Sequence, residues 1–258
     1  MALLVVVVVV FLASKLISGV VSVFGSGGGG SPRTQGSVRS SSSTTPTLIR
    51  PPACSLGNRF AAFRDTDEWQ LTLLDTTYRL PRAYVPPRLK PISAAGFESP
   101  LLVRTGVIDD LAALREAAAS AGVPVGVVAA YRSYDQQARL FERRREQLGT
   151  SEALAKTARP GHSEHQLGTA VDFKSARERD VTENWDRTAT GKWVTGNAWR
   201  FGFIQSYPRG LEDVTCYGNE PWHFRYFGRT LAAEIHRSHL TLREFLWNEQ
   251  KRGGSSIP

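Results

Sequence analysis

The chain has 258 residues, with 32 Lys and Arg against 24 Asp and Glu for a net charge of +8, and is 41% apolar and 10% aromatic. This is ordinary globular composition, which excludes a collagenous or wholly disordered chain. Half of the net charge (Lys15, Arg33, Arg39 and Arg50) falls in residues 1–52, which hold no Asp or Glu. The remainder is only mildly basic and lacks the dense Lys/Arg stripe of a nucleic-acid binder, so no nucleic-acid partner is expected.

From Ala2 to Phe24 the sequence ALLVVVVVVFLASKLISGVVSVF has Lys15 as its only charge. A bilayer is crossed by about 20 apolar residues, and this run has no polar face for a core helix. Residues 1–24 are therefore expected to be a signal peptide or a membrane anchor, with the rest of the chain extracytoplasmic. No Lys or Arg precedes the run and no clear small-x-small cleavage site closes it, so the two alternatives stay open. Residues 25–52, rich in Gly, Ser, Thr and Pro, cannot bury enough apolar surface to offset their ordering entropy and read as a disordered linker. As a flexible coil it spans about 30 Å.

Residues 53–258 show no repeat and no second linker, and read as one domain. Cys54 and Cys216 are its only cysteines. In an exported domain they form either one disulfide, joining the domain's first residues to a point near its end, or two free thiols. Residues 69–91 (WQLTLLDTTYRLPRAYVPPRLKP) predict a short alternating strand and then a Pro-rich stretch that excludes regular helix. Residues 107–121 predict an amphipathic helix, with Asp109 and Asp110 at its start, Leu111, Leu114 and Ala118 on one face and Gly122 after its end. VPVGVVAAY (123–131) reads as a buried strand. Ser133 and Gln136 then form a capping box for a helix running to about Leu148. A short helix at 151–158 ends before Pro160 and Gly161. Strands are expected at 169–173, 201–207 and 221–227, and helices at 229–239 and 242–251, the last opened by Thr241 and Glu244. This order without strict alternation gives an α+β fold with a small, mainly antiparallel sheet and flanking helices.

Three of the five histidines lie in strand-and-turn segments, whereas His236 and His239 read as a solvated helix face. In GHSEHQLGTAVDF, His165 and Asp172 are separated by Gly168, where the backbone can turn sharply. In NEPWHFRY, Pro221 stands between Glu220 and His223 and excludes a helical metal motif. Two His and one acid are the ligand set of a catalytic zinc site with an open position; a structural site uses four ligands and several Cys. Each half taken alone fits a hydrogen-bonded strand end as well.

SEHQLGTAVD fits the pattern SxHxxGxAxD and EPWH fits ExWH, and together they resemble the VanY-like zinc D-alanyl-D-alanine carboxypeptidases. YRSYDQQ, ARPGHSEHQ, FGFIQSYP, WQLTLLD and LPRAYVP match further, in the family's order, over about residues 66–228. The resemblance implies a fold like that of the D,D-peptidases and the Hedgehog signalling domain, one Zn2+ as cofactor, and His165, Asp172 and His223 as its ligands. It makes Glu220 the catalytic base and puts Arg132, Gln137, Ser163 and Tyr217 at the substrate, with His162 in a structural role. Arg132 suits either the free carboxylate of a peptide end or a developing oxyanion. The implied activity is removal of the C-terminal D-Ala from peptidoglycan stem peptides. The alternatives are an L,D-carboxypeptidase acting on tetrapeptide stems and a non-catalytic zinc-containing wall-binding module; the presence of Glu220 argues against the module. Association with the membrane is expected only through the N-terminal segment, and the sequence does not indicate an oligomeric state.

Overall fold

The computed structural model describes residues 48–253, so the expected leader 1–24 and residues 25–47 of the expected linker lie outside the described range. Two short pairings open the fold: β1 (Arg59–Phe60) runs parallel to β2 (Tyr78–Arg79), and β3 (Leu89–Pro91) pairs antiparallel with β4 (Leu102–Arg104). Helix α1 (Ile108–Ser120) follows, burying the stripe Ile108, Leu111, Leu114 and Ala118. Strand β5 (Val125–Ala129) leads into α2 (Tyr134–Leu148) and α3 (Thr150–Lys156). Then come β6 (Ala170–Ser175), α4 (Ala189–Asn197), β7 (Phe203–Tyr207), α5 (Glu212–Thr215) and β8 (Glu220–Tyr226). Helices α6 (Arg229–Ser238) and α7 (Leu242–Lys251) close the chain.

The main sheet has the order β5-β6-β8-β7 with every neighbouring pair antiparallel. Along β6, Val171 and Phe173 enter the core while Asp172 between them faces the other way, as the period of two requires. On β8 the same alternation sends Phe224 into the core and puts His223 and Arg225 on the opposite face. Phe173 makes edge-on contacts with Phe203 and Phe224 at 5.7 and 5.6 Å. Each fully buried Phe contributes on the order of 2–3 kcal/mol of transfer free energy. Helix α1 packs on this core, and α6 and α7 build a second cluster around Leu73 and Phe227.

Both capping boxes form as expected, Ser133 with Gln136 on α2 and Thr241 with Glu244 on α7. In the 69–91 segment the strand ahead of the prolines is only the two-residue β2 (Tyr78–Arg79), and residues 69–75 form none. Leu71 to Asp75 are all buried, so no half-exposed face exists, and the carbonyls of Trp69, Gln70 and Thr72 accept from the Arg225 guanidinium instead of from a neighbouring strand. The sequence reading contains no counterpart of α4. Its Gly191 lowers helix propensity, but a Cβ there would lie 2.0 Å from the Trp185 carbonyl oxygen, so the close packing admits only glycine.

The last linker residues are held by α7. Asn248 bonds both polar backbone groups of Ile49, and Arg243 donates to the Pro52 carbonyl. Ordered hydrogen bonding thus begins ahead of Ala53. Cys54 and Cys216 are joined in a disulfide with their Cα atoms 5.3 Å apart. Among the described residues no helix is long and apolar enough to cross a membrane.

Candidate metal centre and active site

The register of the sheet places two of the three expected ligands directly opposite one another, since Asp172 on β6 is the partner of His223 on β8. Side chains at such paired positions stand about 5 Å apart on the same face. His165 arrives from the turn before β6. Ser163 caps that turn, its Oγ accepting from the His165 N–H, and Gly168 ends it at φ +73°. This left-handed position is open to glycine at little cost, and it reverses the chain so that β6 returns past His165.

His165, Asp172 and His223 offer ligand atoms within 4.8 Å of one another and form one buried group. A carbonyl only accepts, so the bond from His165 Nδ1 to the Ala130 carbonyl, 2.7 Å, puts the ring proton on Nδ1 and leaves the Nε2 lone pair facing Asp172 Oδ1 at 3.4 Å. Likewise His223 Nε2 donates to Glu164 Oε2 at 3.0 Å, which leaves His223 Nδ1 facing the same Asp172 oxygen at 3.0 Å. Three acceptor atoms aimed at one point require a cation. The surroundings of His223 favour positive charge there: burial opposes it, but hydrogen bonds to Asp172 and Glu164 outweigh burial and push its pKa up to about 10. The donor set, two imidazoles and a carboxylate, equally fits zinc.

Glu164 is the residue that sequence reasoning missed. It is 3% exposed, and its burial would raise its pKa. Arg225 at 2.9 Å, His223 at 3.0 Å and the Ser206 hydroxyl at 2.6 Å overcome that and hold it down at about 2. The signal was present in HFR: Arg225 shares the strand face of His223, and a buried guanidinium there needs a carboxylate.

Glu220 opens β8 with its side chain 24% exposed and Oε2 3.7 Å from His223 Nδ1. Residues three apart lie on opposite faces of an ideal strand. The distortion at Pro221, where the pairing with β7 loses its register, brings Glu220 and His223 together. Burial, with Asp172 and Glu164 adding repulsion against the pull of His223 and Arg132, raises the Glu220 pKa to about 7. This carboxyl can exchange a proton at neutral pH.

Arg132 lines the same cleft, and burial lowers its pKa against the pull of Asp172 and Glu220. Gln137, expected to touch the peptide end, is 1% exposed with both amide atoms engaged: Oε1 accepts from Arg132 at 2.8 Å and Nε2 donates to the Ala158 carbonyl at 2.6 Å. It therefore acts through Arg132. Tyr217 and Ser163 also line the cleft, and Tyr217 packs on Tyr207, which in turn packs on His223. His162 stands outside the metal group, its Nδ1 donating to the Asp75 carbonyl at 2.7 Å. His236 lies on the surface, stacked on Trp199 at 4.4 Å. The cleft has a volume of about 730 Å³.

The family described as VanY, D-alanyl-D-alanine carboxypeptidase, matches residues 101–229. The putative carboxypeptidase YodJ of Bacillus subtilis (strain 168) is 38% identical over 186 residues, covering 70% of this chain and 68% of the relative. The chain belongs to the VanY family. Two solved structures of similar fold extend the VanY comparison. The LdcB LD-carboxypeptidase has a TM-score of 0.64 at 34% identity, covering 74% of this chain and 97% of that one. A variant of the vancomycin-resistance D,D-pentapeptidase VanY, in complex with Zn(II), has a TM-score of 0.59 at 29% identity, covering 69% and 99%. VanY membership makes the chain a peptidoglycan-directed carboxypeptidase and so a hydrolase. Its α+β architecture with a small antiparallel sheet agrees with the expected fold class.

Proposed function

We propose that this chain is a zinc-dependent D,D-carboxypeptidase that releases the C-terminal D-Ala of peptidoglycan stem peptides outside the cytoplasmic membrane. Residues 1–24 would bring it there, and residues 25–47 would form the tether. The observation that carries the enzymatic reading is the convergence of His165 Nε2, Asp172 Oδ1 and His223 Nδ1, with Glu220 beside them and Arg132 in the same cleft. His165, Asp172 and His223 would hold the ion, which when bound supplies Lewis acidity and activates water at neutral pH. Glu220 takes the proton of the attacking water and passes it to the leaving amine. Arg132, kept in place by Gln137, receives either the terminal carboxylate of the substrate or the oxyanion. The likeness to an LD-carboxypeptidase supports L,D cleavage of tetrapeptides as the second reading.

The deciding assay measures D-Ala release from pentapeptide and tetrapeptide stems with and without a chelator. Faster, chelator-sensitive release from the pentapeptide is expected, and the reverse preference selects the L,D reading. Metal-dependent release from neither peptide overturns the enzyme. A Glu220→Gln chain should keep its zinc and lose about 10²–10⁴ in kcat.

A further inference from the structure

The cleft is larger than the chemistry at its metal end requires. A carboxypeptidase detaches one residue, whereas a cavity of about 730 Å³ accommodates a ligand of several residues. The outer part therefore faces the portion of the stem that is kept. One wall is α2, whose Gln137, Leu140, Arg144 and Leu148 recur at helical spacing along the cleft. Arg144 stands two turns beyond Gln137, about 10 Å along the helix axis. That distance matches about three residues of extended peptide.

Charge pairing singles out Arg144. Of the other cations in the outer lining, Lys156 has Glu152 at 2.9 Å and Arg209 has Asp186 at 3.1 Å. Arg132 and Arg144 have no carboxylate within ion-pair distance among the described residues, and Arg132 serves the metal end. A second stretch of lining brings the opposite sign through Asp180, Glu183 and Glu212. Glu183 lies 3.8 Å from Lys156, while Asp180 and Glu212 accept only backbone N–H groups, from Val181 and Gly210. The outer cleft thus presents one unpaired guanidinium together with unpaired carboxylates.

We infer that the outer cleft is a subsite for a zwitterionic side-chain end, an ammonium and a carboxylate on one carbon, as carried by a diaminopimelate-class residue ahead of the terminal D-Ala residues. Arg144 takes the side-chain carboxylate, and Asp180 and Glu212 take the ammonium. A lysine at that position supplies the ammonium alone. This subsite rests on the carboxypeptidase reading and names the stem that the enzyme prefers.

The test uses three pentapeptides that differ only in the third residue: meso-diaminopimelate, the same residue with its side-chain carboxyl amidated, and L-lysine. KM is measured for each with the wild-type chain, Arg144→Gln and the double variant Asp180→Asn/Glu212→Gln. Arg144, Asp180 and Glu212 are exposed, and an exposed ion pair is worth at most about 1 kcal/mol, so the wild-type KM should be about two- to fivefold lower for the diaminopimelate peptide than for the other two. In Arg144→Gln the ratio between the amidated and free-acid peptides should fall to about one. In the double variant that ratio should persist while KM rises for all three ammonium-bearing peptides. Equal wild-type KM values, or a ratio that survives in Arg144→Gln, overturn the subsite while leaving the carboxypeptidase standing. Release of D-Ala from none of the peptides overturns the carboxypeptidase reading and the subsite with it.

Discussion

At the scale of single residues, the site depends on which polar atoms are already used. Gln137 spends both ends of its amide inside the protein, so the group it presents to a substrate is the Arg132 guanidinium. Replacing Arg132 with Ala should lower kcat/KM by about 10² or more. Steady-state kinetics assigns its role: a loss in KM marks carboxylate anchoring, and a loss in kcat marks the oxyanion. Glu164 fixes the tautomer of His223 from behind, while Arg225 offsets its charge. A Glu164→Gln chain should bind zinc 10–100-fold more weakly in a chelator-competition titration. It should also melt earlier, because the buried Arg225 is left without its carboxylate, a change that typically costs about 3–5 kcal/mol.

Among the elements, those with purely local causes were legible in the sequence. Helices α2 and α7 carry reciprocal capping boxes, α1 carries acids at its start and an apolar stripe, and β6 and β8 carry alternation around Asp172 and His223. The segments that were not legible are decided by distant partners. Residues 69–75 are shaped by Arg225, more than 150 positions away, and the Gly-containing α4 is fixed by the Trp185 carbonyl. Glu164 was hidden for the same reason: its partners Ser206, His223 and Arg225 lie on other strands. His162 shows what this long-range packing implies for pH. Burial, reinforced by Arg159 and Arg79 and opposed by the Asp75 carbonyl bond and charge, holds its pKa at about 4 against an ordinary 6.5. The folded chain keeps this ring neutral while the unfolded chain protonates it below pH 6.5, so its contribution is complete above pH 6.5 and lost as pH falls toward 4. The loss is at most about 3 kcal/mol. Denaturant unfolding at pH 7 and pH 4.5 should give a smaller pH difference for His162→Gln than for the wild type.

For the whole molecule, the disulfide links residues 162 positions apart and encloses most of the domain in one covalent loop. In the chain-entropy model, closing a loop of that length is worth on the order of 5 kcal/mol. A Cys54→Ser/Cys216→Ser chain should lose stability of that order in denaturant unfolding, read as a lower midpoint with a steeper or unchanged slope. The link is placed where it matters for the site, because Cys216 adjoins Tyr217 and precedes Glu220 on the same short approach to β8.

The clasp at the start of the domain also has a mechanical meaning. When such a chain is held by its N-terminus while its cleft grips a wall-attached peptide, tension enters at Ile49 and Pro52, where Asn248 and Arg243 grip the backbone. Beyond them, the load crosses from Cys54 to Cys216 through a covalent bond. The segment between those cysteines, which contains Arg132, His165 and Asp172, cannot be drawn out end to end by a pull on the N-terminus, whereas His223 lies beyond Cys216 and is kept beside Asp172 by the pairing of β6 with β8.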